Sequence, residues 1–291
     1  MYARSVLVVR PACFGWSADT AATNGFQQPP SAGEDVAGRG RAELDGVVAA
    51  LRAEGVRVEV LEDRPSPVCP DAVFPNNWFS THPDGTALLY PMAPPSRRAE
   101  RRPEVVAALP GVRRLVDLSA LEAAGAFLEG TGSLVMDVVR GRAWACRSPR
   151  TTDAGLDAWV RASGMVVHRF DAALDGAPVY HTNVLLALGP DWAVLGEELV
   201  HPADRAPLRA SLASTGREVL PLSAAEVRAY AGNLLVLEGA HGPVTVASRT
   251  AADALGPRLA RLGRVCVVDI PTLERVGGGS ARCLLAELWT G

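Results

Sequence analysis

"LDAWVRASGMVVHRFD", residues Leu156 to Asp171, holds the grammar of the whole chain in one short run. Leu156, Trp159 and Val160 recur at helical spacing, Gly164 stops the helix, and Val166 and Val167 open a β-rich stretch. The same order of helix, glycine and strand occurs four more times. These copies are "ELDGVVAALRAEGVRVEVL" from Glu43, "RRPEVVAALPGVRRLVDLS" from Arg101, "LRASLASTGREVLPLS" from Leu208 and "LGPRLARLGRVCVVDIP" from Leu255. The stop glycines are Gly55, Gly111, Gly164, Gly216 and Gly263, a period of roughly fifty residues, the range of repeat architectures.

Between one unit's last strand and the next helix lie more strand-like runs: "TALLYP", "SLVMDVV", "RAWACR", "NVLLALG", "WAVLGEEL", "LLVLEG" and "PVTVAS". Each unit thus reads as about three strands and one helix. Five such units can close into a ring that leaves no exposed sheet edge. The alternative is an open α/β sheet with many crossovers. No glycine-rich nucleotide loop follows a first strand, and "GTGS" at Gly130 lacks the dinucleotide spacing.

Composition narrows the function. The chain has 291 residues, 48% hydrophobic and 21% charged, the profile of a soluble globular protein, read here as one catalytic domain over 1–291. A net charge of −3 steers it toward neither nucleic acid nor anionic lipid. Every basic residue is Arg, which excludes a lysine Schiff base and a phosphate-loop lysine and fits a GC-rich bacterial coding sequence. No apolar run reaches the roughly 20 residues of a membrane span, and the N-terminus lacks a signal-peptide pattern. The five cysteines are scattered and odd in number, as expected of thiols in a reducing cytoplasm. Cys and His never fall at the short spacings of a zinc site, so no metal or cofactor is expected.

Counting 16 to 22 residues on from each stop glycine reaches Asp71 and Asn77, then Glu129, His181, Asn233 and Cys283. In a closed ring these positions converge on one axis. A thiol, an imidazole and a carboxylate then share a pocket with two amides. The thiolate is a strong nucleophile, the imidazole moves protons near neutrality, and the carboxylate fixes its tautomer. Peptide N–H groups of Gly277–Ser280, Gly278 among them, form a candidate donor nest beside the sulfur. Cys13, Cys146 and Cys266 read as small buried hydrophobes, with Cys69 the same unless its nearness to Asp71 puts it in the pocket. His82, His168, His201 and His241 read as surface or structural histidines.

The stretches "TAATNGFQ", "FPNNWFSTH", "LLYPM", "SRRAERR", "FLEGTGSLV", "YHTNV" and "GGGSARCLLAE" run the length of the chain. Together they resemble the guanidino-group-modifying superfamily of arginine deiminases, dimethylarginine dimethylaminohydrolases and amidinotransferases. The likeness is strongest to the citrulline-utilization hydrolase branch, also called arginine-deiminase-related. The resemblance implies a five-bladed α/β propeller, the pentein fold, with ββαβ-type repeats. It implies Cys283 as nucleophile, His181 as general acid and base, and Glu129 as the residue that orients His181 or the attacking water. It places Asp71, Phe74 and Asn77 where relatives grip the planar nitrogen group, and adds Asn233 and Gly278 to the substrate site. Arg97 and Arg150 match positions that hold the substrate α-carboxylate, a role that suits an Arg fork. Beside Arg97, the cluster of Arg98, Arg101 and Arg102 allows a solvated-surface reading.

One departure bears on the substrate. Arginine deiminases carry an acid two residues after the catalytic His, where this chain has Asn183; many relatives also have acids at Asn76 and Asn77. A buried guanidinium needs a carboxylate, whereas an amide suits a neutral ureido group. The expected reaction is therefore citrulline to ornithine, ammonia and CO2, with a guanidino substrate left open because Asp71 remains. An amidinotransferase and a non-catalytic binding propeller are the competing readings. A papain-like protease is excluded by the late Cys and earlier His. The expected partner is a small amino acid, with homo-oligomerisation left open. Phe14 to Gly40 carries no clear helix or strand and is expected to be a lid.

Overall fold

The computed structural model describes residues 1–289 as a mixed α/β fold. The strands run β1 (Ser5–Arg10), β2 (Arg57–Glu62), β3 (Phe79–Thr81), β4 (Thr86–Leu89), β5 (Arg114–Asp117), β6 (Val135–Asp137), β7 (Arg142–Cys146) and β8 (Val166–Phe170). A small hairpin follows, β9 (Ala173–Leu174) and β10 (Ala177–Pro178). Then come β11 (Leu186–Leu188), β12 (Trp192–Leu195), β13 (Glu218–Pro221), β14 (Leu235–Gly239), β15 (Gly242–Ser248), β16 (Val265–Val268) and β17 (Ala286–Leu288).

Among the described residues these form five three-stranded sheets of one pattern. The first strand pairs antiparallel with the second, and the second pairs parallel with the strand after the glycine. Thus β6–β7–β8 pairs Val135 with Trp144 and Trp144 with His168. Sheets β3–β4–β5, β11–β12–β13 and β14–β15–β16 repeat it. The fifth sheet joins the two ends of the chain: β17 supplies the antiparallel strand to β1, Ser5 facing Leu288, and β2 runs parallel to β1. β17 also lies against β3, and β11 touches both β6 and β14.

The glycine punctuation has a backbone cause. Gly55, Gly111, Gly164, Gly216 and Gly263 have φ of 80°, 80°, 70°, 83° and 75°, the left-handed region in which a Cβ is strained. The helix of the quoted stretch, Asp153–Ser163, starts on Thr152, whose side chain accepts from the Gly155 N–H. It buries Leu156 and Trp159 against Leu88, Tyr90 and Leu128. Each fully buried side chain of this size contributes about 1.5–3 kcal/mol.

Two expectations change. Residues 14–40 are not structureless: a short helix spans Ala18–Ala21, and the helix Val36–Ala53 begins well before the apolar run at Leu44. Asp35 caps it by accepting from Gly38 N–H, and Gly40 leaves room for the Phe14 ring, 2.5 Å from where a Cβ would sit. Glycines that argue against a helix in isolation are here the condition for packing. In the last unit the α-helix is Arg249–Leu255, ahead of the expected run, and Gly256–Pro257 breaks it into a 3₁₀ segment over Gly256–Leu262. No helix of the described residues is long and apolar enough to cross a membrane.

Candidate active site

Each sheet is entered through a tight turn, and the residue two or three positions ahead of its first strand is equivalent in all five. These residues are Asn77, Gly132, Asn183, Asn233 and Cys283. Four sit in short helical turns: Pro75–Asn77, Gly130–Ser133, Thr182–Val184 and Ala281–Leu284.

Cys283 is buried, and its sulfur lies 3.2 Å from Asn233 Nδ2 and 3.6 Å from Asn183 Nδ2. Asn233 is itself held, donating to the Asn183 carbonyl and accepting from the Arg282 N–H. Burial pushes the thiol pKa up, and the Asn233 hydrogen bond opposes this.

His181 Nε2 meets Glu129 Oε2 at 2.8 Å, both side chains fully enclosed. Burial alone would raise the Glu129 carboxyl, but Arg150, His181 and Arg97 outweigh it and hold its pKa at about 2. Burial lowers His181 to about 4 despite the carboxylate beside it. An ionised carboxylate only accepts, so Nε2 carries the proton and Nδ1 presents a lone pair.

A small cavity of about 10 Å³ is lined by Cys283, His181, Asp71, Phe74, Asn77, Arg97 and Arg150, together with Tyr180 and the backbone of Gly277–Gly279. The sequence-expected side chains and Gly278 thus meet in one place, with Asn233 behind the sulfur and Glu129 behind His181. Asp71 is buried and accepts from Thr20 Oγ1 at 2.9 Å and Gln27 Nε2 at 3.3 Å; burial raises its pKa against the pull of Arg97.

The two arginines are more committed than a carboxylate-gripping fork requires. Arg97 clasps Glu100 through Nε and Nη2 at 2.9 and 2.7 Å, donates to Asn77 Oδ1 at 2.6 Å, and reaches the Asp71 and Phe74 carbonyls. Arg150 donates to Thr23 Oγ1 and the Thr20 carbonyl, lies 3.4 Å from Glu129, and stacks 5.1 Å from the Tyr180 centroid. Both order the pocket walls.

Some members of the site escaped the residue-by-residue reading. Thr20, Asn24 and Gln27 close over the cavity: Asn24 donates to the Gly278 carbonyl and Gln27 to that of Gly277. Tyr180 also donates to Gly278 O, at 2.7 Å. The motif "TAATNGFQ" was the available signal. The glycine run differs from the expected donor nest. The helix Pro271–Gly277 ends there, the Gly278 N–H is used on Glu274 O, and the carbonyls left over at the helix end take the side-chain donors.

The other thiols and imidazoles stay out of the cavity. Cys69 packs with Trp78, Phe79 and Met92. Cys146 and Cys266 are buried, while Cys13 is only half-buried, its sulfur turned toward Pro65 O at the protein edge. His82 is buried on Ser80, His201 caps the helix Pro202–Ala213, and His168 and His241 lie outside the pocket. Among the described residues no group of three or more His, Cys, Asp or Glu is placed to hold a metal ion.

Comparison with known proteins gives this geometry a class. Residues 10–290 match the family described as N,N dimethylarginine dimethylhydrolase, eukaryotic. No curated protein matches the sequence. Among solved structures, the N-terminal domain of ArgZ, covalently bound to a reaction intermediate, superposes with a TM-score of 0.78 at 14% identity, over 97% of both chains. Apo ArgZ, described as an arginine dihydrolase from the ornithine–ammonia cycle in cyanobacteria, gives 0.79 at 14% identity, over 99% of this chain but 41% of that one. A dimethylarginine dimethylaminohydrolase adduct with S-methyl-L-thiocitrulline gives 0.70 at 19% identity, over 99% and 100%. The chain therefore spans the N-terminal domain of ArgZ and about two fifths of the whole of it. At these identities the structural likeness is one of fold.

The protein is a hydrolase acting on carbon–nitrogen bonds, of the guanidino-group-modifying superfamily. Within it, the chain belongs to the N,N dimethylarginine dimethylhydrolase family.

Proposed function

We propose that the five sheets close as a single catalytic ring around the Cys283 cavity, and that Cys283 attacks the central carbon of a ureido or guanidino group. The observation that carries this reading is the pairing of His181 with Glu129 in the wall of the cavity that Cys283 lines. Contacts of β17 with β3 and of β11 with β6 and β14 support closure.

His181 Nδ1 takes the thiol proton as the sulfur attacks. Asn183 and Asn233 donate to the sulfur, which favours the thiolate without adding a cation. The imidazolium, held by Glu129, returns its proton to the departing amine and leaves a thiocarbamate or thiouronium on sulfur. Water then attacks, His181 takes its proton, and the carbon–sulfur bond breaks. Arg97 fixes Asp71 and Asn77 in this scheme. Arg150, which keeps more of its N–H groups free, is the better placed of the two for a substrate carboxylate. Residues 18–28 act as the lid.

Citrulline is the favoured substrate, giving ornithine, ammonia and CO2. The sulfur is flanked by amides, and among the described residues Asp71 is the one carboxylate lining a cavity that already holds two buried guanidinium groups. The second reading is a guanidino substrate. It is favoured by Asp71 itself, by the family's name, and by AgrE, a structural relative seen in complex with L-arginine. The deciding experiment incubates the protein with citrulline, arginine, methylated arginines and agmatine, and measures ornithine, citrulline and ammonia separately. Ornithine from citrulline supports the first reading; activity on methylarginine alone sinks it.

A further inference from the structure

Asn77 and Gly132 occupy equivalent lead-in positions of neighbouring sheets, and the gap between them is polar in an unusual way. The Asn77 amide has a fixed orientation, because its Oδ1 accepts from Arg97 Nη1 at 2.6 Å. The reversed amide would set an NH₂ against a guanidinium. Its Nδ2 is therefore turned away from Arg97, and that atom is buried with no hydrogen-bond partner among the described residues. A Cβ on Gly132 would sit 2.5 Å from Asn77 Nδ2 and 2.7 Å from His181 Nδ1. Only glycine leaves a notch here for the two side chains to enter, and its backbone has no positive φ to require one. The glycine is there for space.

The polarity of the notch is defined on both sides. Asn77 Nδ2 offers a hydrogen. His181 Nδ1 offers a lone pair, because Nε2 is committed to Glu129. A water between them accepts from Asn77 and donates to His181, and keeps one lone pair free. A buried, unpaired donor costs about 1–3 kcal/mol, so such a site is built for an occupant with that polarity. Asn77, His181 and Cys283 line the same cavity.

We infer that Asn77 and the notch over Gly132 hold the water that releases the covalent intermediate, an inference that rests on Cys283 being the nucleophile. The water oxygen bonds to the carbon carried on sulfur and gives a proton to His181 Nδ1. The carbon–sulfur bond breaks, its electron pair stays on sulfur, and the proton passes from His181 to sulfur. With a thiocarbamate the released carbamic acid falls to ammonia and CO2.

The test separates formation of the intermediate from its release. Wild type and Asn77→Ala are mixed with substrate, quenched in acid over a time course, and weighed as intact protein. Circular dichroism and melting are recorded alongside. Because Asn77 also lines the substrate cavity, Asn77→Ala is expected to slow formation of the Cys283 adduct, and to slow its release by about 10²-fold more than its formation, so the adduct accumulates. Hydroxylamine should then restore release. A folded Asn77→Ala that slows both steps alike, or neither, overturns the inference. If Asn77→Ala fails to fold, Gly132→Ala fills the notch from its other wall and is read in the same way: accumulation supports the water site, its absence overturns it. Turnover with no adduct on Cys283 in any of these proteins removes the nucleophile itself, a different failure from a misplaced water.

Discussion

The sheets and the turns that lead into them follow different rules. In the sheets, five units repeat one register, with one antiparallel pair, one parallel pair and one left-handed glycine. In the turns, the five equivalent positions hold Asn77, Gly132, Asn183, Asn233 and Cys283, three residue types in five places. Burial asks only for apolar side chains at the right spacing, so the same pattern can serve five times. Chemistry asks for unlike groups facing one point. A repeated scaffold supplies equivalent slots, and function comes from filling them differently.

The comparison breaks most visibly at the sulfur. Cys283→Ser is expected to lower turnover by about 10⁴-fold or more while the melting temperature stays near wild type, as steady-state assay and calorimetry will show. Next is the carboxylate behind the imidazole. Glu129→Gln should lower turnover by about 10²–10⁴-fold and also cost about 3 kcal/mol of stability, because Arg150 is left buried beside an amide. Urea unfolding measures the second effect. A scaffold change should do the reverse. Leu156→Ala removes a fully buried side chain from the helix of the quoted stretch and is expected to cost about 2–5 kcal/mol, with kcat of the folded protein unchanged.

A smaller effect appears in pH. His181 is held at about 4, below its ordinary value of 6.5, and Glu129 at about 2, below 4.5. Both folded values are depressed, so both contributions are fully present above the unfolded pKa and are lost as pH falls. For His181 the loss runs from 6.5 down to 4, and for Glu129 from 4.5 down to 2. In the upper window Glu100, raised by burial to about 7, pulls the other way, so the readout is the urea midpoint of wild type minus that of His181→Ala, which should fall as pH drops from 6.5 to 4. A difference that rises on acidification from 6.5 to 4 contradicts the placement of His181.

Much of this architecture was legible because it repeats. Gly55, Gly111, Gly164, Gly216 and Gly263 mark the left-handed turns, and counting forward from them reaches Asn77, Asn233 and Cys283 at the lead-in positions, but Glu129 and His181 lie three and two residues ahead of theirs, Gly132 and Asn183. What escaped was local packing against distant residues. Helix Val36–Ala53 starts among Gly38 and Gly40, which single-residue propensity reads as breakers, because Asp35 caps it and Phe14 fills the space over Gly40. The roles of Gln27 and Asn24 were hidden for a similar reason. Their partners, the carbonyls of Gly277 and Gly278, are about 250 residues away. Arg97 read as a substrate fork because nothing in "SRRAERR" shows that Glu100 takes its fork.

The central claim is that carbon from the substrate resides on Cys283 during turnover. The direct measurement uses citrulline and arginine carrying heavy carbon in the ureido or guanidino group, an acid quench during turnover, and peptide mass spectrometry. The account predicts the label on the peptide containing Cys283, absent from Cys283→Ser. Turnover with that peptide unlabelled, or with the label on another residue, contradicts it.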